Sequence, residues 1–145
     1  MRLVDVNVLV YAFRADAPGH EAHHDWLAKQ VASDEAYAVS DHVLAGFLRV
    51  VTHPRVFHPP TPLEPALAFT RAYRERVNAV PVAPGGRHWG IFERLCTEAG
   101  ARGNLVPDAW LAAVAIEHGC EFVTTDRDFA RFPGLRWVHP LAGAA

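Results

Sequence analysis

The sequence predicts an α/β fold in three layers: a central, mainly parallel five-stranded sheet flanked by helices. Short β-rich runs alternate with longer stretches of helical periodicity. Strands separated in this way are joined by right-handed crossovers, which makes the sheet parallel and covers both of its faces. A chain of 145 residues and 16.0 kDa fits one core and leaves little room for a second, so residues 1–145 read as a single domain.

In chain order, MRLVDVNVLVYAF is strand-like from the start, with a strand over Arg2 to Val4. Ala22, Trp26, Leu27 and Val31 follow helical spacing, and Tyr37 to Val39 is the second strand. A helix follows in SDHVLAGFLRV, and the Pro-rich run from His53 to Pro62 is a connecting loop. Leu63, Ala66, Leu67, Thr70, Tyr73 and Val77 mark another helix, Val80 to Val82 a strand, and Trp89, Phe92, Leu95, Cys96 and Ala99 a further helix. The last elements are a helix in VPDAWLAAVAIEHG and strands over Glu121 to Thr124 and Arg136 to Val138. There is no internal repeat.

Half of the residues are hydrophobic and 21% are charged, the balance of a folded protein. A net charge of -2 removes the global positive excess of many nucleic-acid binders, so any such site is local. Lys29 is the only lysine, and the arginines suit bidentate contact with phosphate. Cys96 and Cys120 lie far apart without zinc-site spacing. With no cleavable signal pattern and no apolar run of membrane-spanning length, the simplest expectation is a reduced, cytoplasmic protein without a membrane anchor.

Three acids stand out. Asp5 follows the first strand, Asp126 follows the fourth in FVTTDRDF, and Asp108 lies in the first turn of a helix beside Pro107. Each alone reads equally as a helix cap or a partner of the helix dipole. In a parallel sheet, however, strand-to-helix turns share one edge, where ligands bind. Carboxylates gathered there raise one another's pKa, and a hard divalent cation, Mg2+ or Mn2+, keeps them ionised.

The motifs VDVN (Val4 to Asn7), PDAWLAA (Pro107 to Ala113) and VTTDRDF (Val123 to Phe129) resemble, in order and separation, the acidic motifs of VapC-like PIN-domain toxins. That resemblance implies a magnesium-dependent endoribonuclease that hydrolyses RNA with metal-activated water, acts as the toxin of a toxin-antitoxin pair, and is blocked by a cognate VapB-like antitoxin. It also implies a homodimer. Asp5 and Asp108 would be the main metal ligands, and Asp126 would hold a second metal or orient water. Asp128, two residues on, is the rival to Asp126. Asn7 either steers Asp5 or a water, or simply bonds within its turn. Thr124 and Thr125 bind either a metal water or the backbone.

One departure is plain: the family's usual Glu in the helix after the second strand is replaced by Gly46. His42 and Arg49 share a helical face with Gly46. They either meet a water and a phosphate, or are a surface His and a solvated Arg. Either three acids suffice, or the chain is a degenerate PIN domain that binds RNA or a partner without cutting. A haloacid dehalogenase-type phosphatase also begins with Asp after its first strand, but it needs a second Asp where this chain has Asn7. His20, His23 and His24 read as a solvated helix face, and Trp89, Trp110 and Trp137 as core. The Gly85-Gly86 pair lacks the rest of a phosphate loop.

Overall fold

The computed structural model describes residues 1–143. In chain order the elements are β1 (Arg2–Val4), α1 (Val6–Phe13), α2 (His20–Ala32), β2 (Tyr37–Val39), α3 (Asp41–Val51), α4 (Leu63–Arg74), β3 (Ala79–Pro81), α5 (His88–Ala99), α6 (Leu105–Glu117), β4 (Glu121–Val123) and β5 (Trp137–Val138), with a 3-10 turn over Arg127–Arg131. One sheet of five strands has the order β3-β2-β1-β4-β5, and every pairing is parallel. The chain builds outward from β1 to β3 and then returns to the other side of β1. Strand order therefore reverses between β1 and β4, and a crevice opens there at the carboxyl edge.

The sheet is an apolar slab. Leu3, Val4, Tyr37, Ala38, Phe122 and Val123 are almost wholly buried. Phe47 of α3 meets Phe13 and Phe69 edge to face or tilted, tying α1, α3 and α4 together. In α6, Ala109, Ala112, Ala113 and Ala115 have no exposed surface. Their small side chains let the helix lie close against its neighbours, and α5 packs along it as a helical hairpin.

Several expectations are corrected. The opening segment is strand only to Val4. Asp5 accepts the Val6 N–H and caps α1, so the β-branched run that follows is a buried helix. The third strand lies one residue earlier than Val80 to Val82, the fourth ends at Val123, and the fifth starts at Trp137. α4 ends at Arg74, and Val77 is fully exposed. The turn holding Val77 is fastened by the Asn78 amide, which donates to the carbonyls of Val31, Ser33 and Glu35. His23 is buried, with Nδ1 2.9 Å from the Gly19 carbonyl and its ring against Tyr11, so the histidine group is not simply a solvated face. Trp89 is 65% exposed rather than core.

The loop before α5 is held by Glu117. Its carboxylate accepts the N–H of Gly85 at 2.7 Å and of Arg87 at 2.9 Å. A Cβ at Gly85 would stand 2.8 Å from Glu117 Oε2, which explains the glycine. Cys96 and Cys120 are free thiols. Among the described residues no helix is long and apolar enough to cross a membrane.

Candidate metal centre and active site

The carboxyl ends of β1 and β4 deliver the first two acids. Asp5 is buried at the switch point; Oδ1 accepts the Val6 N–H at 2.7 Å, and Oδ2 accepts the Thr124 hydroxyl at 2.7 Å. The same hydroxyl accepts the N–H of Asp126 at 3.0 Å, so the fully buried Thr124 links the two acidic strand ends. Asp126 caps the 3-10 turn by accepting the Asp128 N–H at 2.9 Å. Asp108 comes from the first turn of α6, whose N-terminus reaches the same edge.

Asp5, Asp108 and Asp126 line one cavity of about 540 Å³ together with Asn7, His42, Gly46 and Arg49. Asp128 is exposed and lies outside that lining, so Asp126 rather than its rival faces the cavity. Pro107, Leu111 and Val50 also form its walls, residues that sequence reasoning did not single out. Leu111 stands one turn beyond Asp108, where helical spacing alone would have found it. Arg49 forms no ion pair among the described residues, although it faces acids.

The electrostatics are strained. Burial pushes the Asp5 carboxyl above its ordinary value, Asp126 adds to the rise, and the Thr124 hydroxyl and Val6 N–H oppose it. Asp108 is pushed up to about 6, first by burial and then by Asp126, Asp5 and Asp128, with no hydrogen bond to offset them.

Gly46 has a steric reason. A Cβ there would stand 3.0 Å from Val6 Cγ2, because α1 and α3 approach closely at this point. A side chain at this position would therefore press on the valine that follows Asp5.

Among the described residues no three His, Cys, Asp or Glu side chains stand close enough to form a preassembled metal cage. The donor chemistry still fits a hard divalent ion: all three carboxylates offer oxygen, repel one another, and open on a common cavity. Magnesium keeps several waters, so carboxylates too far apart for direct ligation reach it through them.

A PIN domain family model matches residues 2–135. Ribonuclease VapC25 of Mycobacterium tuberculosis is 44% identical over 140 residues, covering 97% of this chain and 99% of that protein. Ribonuclease VapC43 of the same organism is 46% identical over 143 residues, covering 99% and 97%. Among solved structures, VapBC2 from Rickettsia felis, bound to a DNA fragment from its promoter, has a TM-score of 0.66 at 21% identity, covering 95% of this chain and 97% of that one. The last likeness is of fold; the first three carry descent, and by them the chain belongs to the PIN-domain family and to its VapC group.

Proposed function

We propose that this chain is the ribonuclease toxin of a toxin-antitoxin pair and hydrolyses RNA phosphodiester bonds with magnesium, or manganese in its place. The observation that carries the reading is the convergence of Asp5, Asp108 and Asp126 on one cavity, with Asp108 raised to about 6 first by burial and then by its acidic neighbours. A cation would be held by these three carboxylates. When bound, it supplies Lewis-acid polarisation of a phosphoryl oxygen and a lowered pKa for water.

The chain's own residues do the rest. Thr124 fixes Asp5 and the backbone of Asp126 relative to each other, so the two strand ends act as a unit. Asp108, with no protein donor among the described residues, presents its carboxylate to the same cavity, where it would help to hold the cation and its water. Arg49, without an acidic partner among the described residues, binds a phosphate of the strand, and Asn7 directs its amide toward water or substrate at the same wall. No covalent nucleophile is required. The inhibitory partner is a VapB-like antitoxin, since relatives of this fold are described as VapBC and toxin-antitoxin complexes. A homodimer is the expected assembly.

The second reading, a degenerate PIN domain that binds without cutting, is favoured by Gly46 and by the lack of a preassembled cage. One experiment separates the two. Purified protein and Asp5→Asn are incubated with structured RNA and with a phosphomonoester, in magnesium or in chelator. Cleavage of RNA alone, abolished by chelator and by the substitution, is the expected result. Cleavage that survives both would overturn the mechanism, and RNA binding without turnover would favour the degenerate reading.

A further inference from the structure

His42 lines not one cavity but two. Besides the acidic cavity it borders a smaller groove formed by Val39 and Ser40 at the end of β2 and by Pro81 to Pro84 after β3. The exposed imidazole stands on the ridge between them. It is backed by Trp110, whose ring lies 4.6 Å away between centroids at 42°. Trp110 is in turn held from behind by His88, which is buried, stands edge-on at 4.8 Å, and places Nε2 2.9 Å from the Trp110 carbonyl oxygen. His88 is itself stacked on Phe92.

An exposed ring thus sits on a half-buried indole held by His88, itself stacked on Phe92, one helical turn before Gly46 and two before Arg49. The groove beyond His42 has no Lys or Arg in its lining, and its one charged residue, Asp41, is paired with Arg74. Such a groove offers phosphate no cationic partner and suits a neutral, flat, apolar group. With Arg49 on the phosphate side and an aromatic ridge on the other, the two ends of a nucleotide are matched separately.

We infer that His42 and Trp110 form a stacking platform for an unpaired base next to the scissile phosphate, and that the Val39 to Pro84 groove receives that nucleotide. The inference rests on the RNA-cutting reading and extends it to the substrate: single-stranded or looped RNA, since a base inside a duplex has no free face to offer. His42 and Trp110 are specificity-determining positioning residues; neither touches the reacting atoms.

The test reads binding in chelator, where no turnover occurs. The full chain is titrated with short single-stranded RNAs while the tryptophan indole N–H resonances are followed, that of Trp110 being assigned with Trp110→Phe. The expected result is movement of the Trp110 signal, while that of Trp26 stays still. His42→Ala, at an exposed position, weakens binding about 10-fold and His42→Phe restores it. An abasic site stepped along the RNA finds one position that weakens the wild type by a similar factor and leaves His42→Ala unchanged. Equal binding by wild type and His42→Ala, or equal loss with intact and abasic RNA, would overturn the platform. Cleavage is read separately in magnesium: RNA that moves Trp110 but is never cut upholds the platform and defeats the ribonuclease reading. RNA that is cut without involving His42 or Trp110 does the reverse.

Discussion

Two half-buried carboxylates of this protein, Glu117 and Asp108, are treated in opposite ways. Glu117 accepts two backbone N–H groups, and those of Gly85 and then Arg87, against desolvation, hold its carboxyl below the ordinary value. Among the described residues Asp108 has no donor; burial first, and then three other acids, push it up to about 6. The chain satisfies the first from its own backbone and gives the second no such donor. A carboxylate that the fold completes is structural, whereas one that it leaves electrostatically unfinished marks a place for a ligand.

The comparison is broken most directly by neutralising each acid. Asp108→Asn should lower RNA cleavage by at least about 100-fold, the scale of losing one charge-stabilising group in an active site. The same change should raise the melting temperature of metal-free protein at neutral pH, because it removes a repelled charge. Glu117→Gln should do the opposite: the melting temperature falls by about 5 °C, since a bond from backbone N–H to a charged acceptor is lost or weakened, while cleavage per folded molecule is kept. Thermal melts and initial rates on both variants check the pair.

The vacancy in α3 sharpens the contrast further. Gly46→Glu restores a fourth acid but drives a Cβ to 3.0 Å from Val6 Cγ2, so it should destabilise by about 1–3 kcal/mol despite relieving a helical glycine. Val6→Ala combined with Gly46→Glu should recover part of that loss. Denaturant melts of the single and double variants measure the coupling, and strict additivity would show that Val6 is not the obstacle.

The smallest effect is on protons. An acid whose folded pKa is raised stabilises the fold below its unfolded value, and that contribution is lost as pH climbs through the folded one. Metal-free protein should therefore lose stability as pH rises from about 4 to about 6, the window set by the ordinary Asp value and by Asp108. Magnesium should raise the melting temperature more at pH 7.5 than at pH 5, where protonated Asp108 competes with the ion.

Much of this was legible in the sequence. Tyr37 to Val39 and the start of β4 were read correctly because short β-rich runs bounded by polar residues have few other uses. That Asp5, Asp108 and Asp126 share one cavity was legible because parallel topology sends strand ends and the α6 N-terminus to one edge. The segment after Asp5 misled because V-N-V-L-V has strand composition, and only the cap and the burial of Val8, Leu9 and Val10 make it helix. The Glu117 to Gly85 clasp, the Val6 to Gly46 approach and the Trp110 platform join residues more than 30 apart in sequence or depend on one side-chain contact, and neither periodicity nor a motif encodes them. Thr124 was singled out, but its use as a bridge between Asp5 and Asp126 needs the pairing of β1 with β4.

Completion of these acids by a divalent ion is open to direct measurement. Manganese titration followed by the loss of the free-ion paramagnetic signal tests it without any assay of cleavage. The account predicts saturable binding by the wild type, strongly weakened in Asp5→Asn and Asp108→Asn and unchanged in Glu117→Gln. Binding that is absent from the wild type, or equally strong in the aspartate variants, would contradict it.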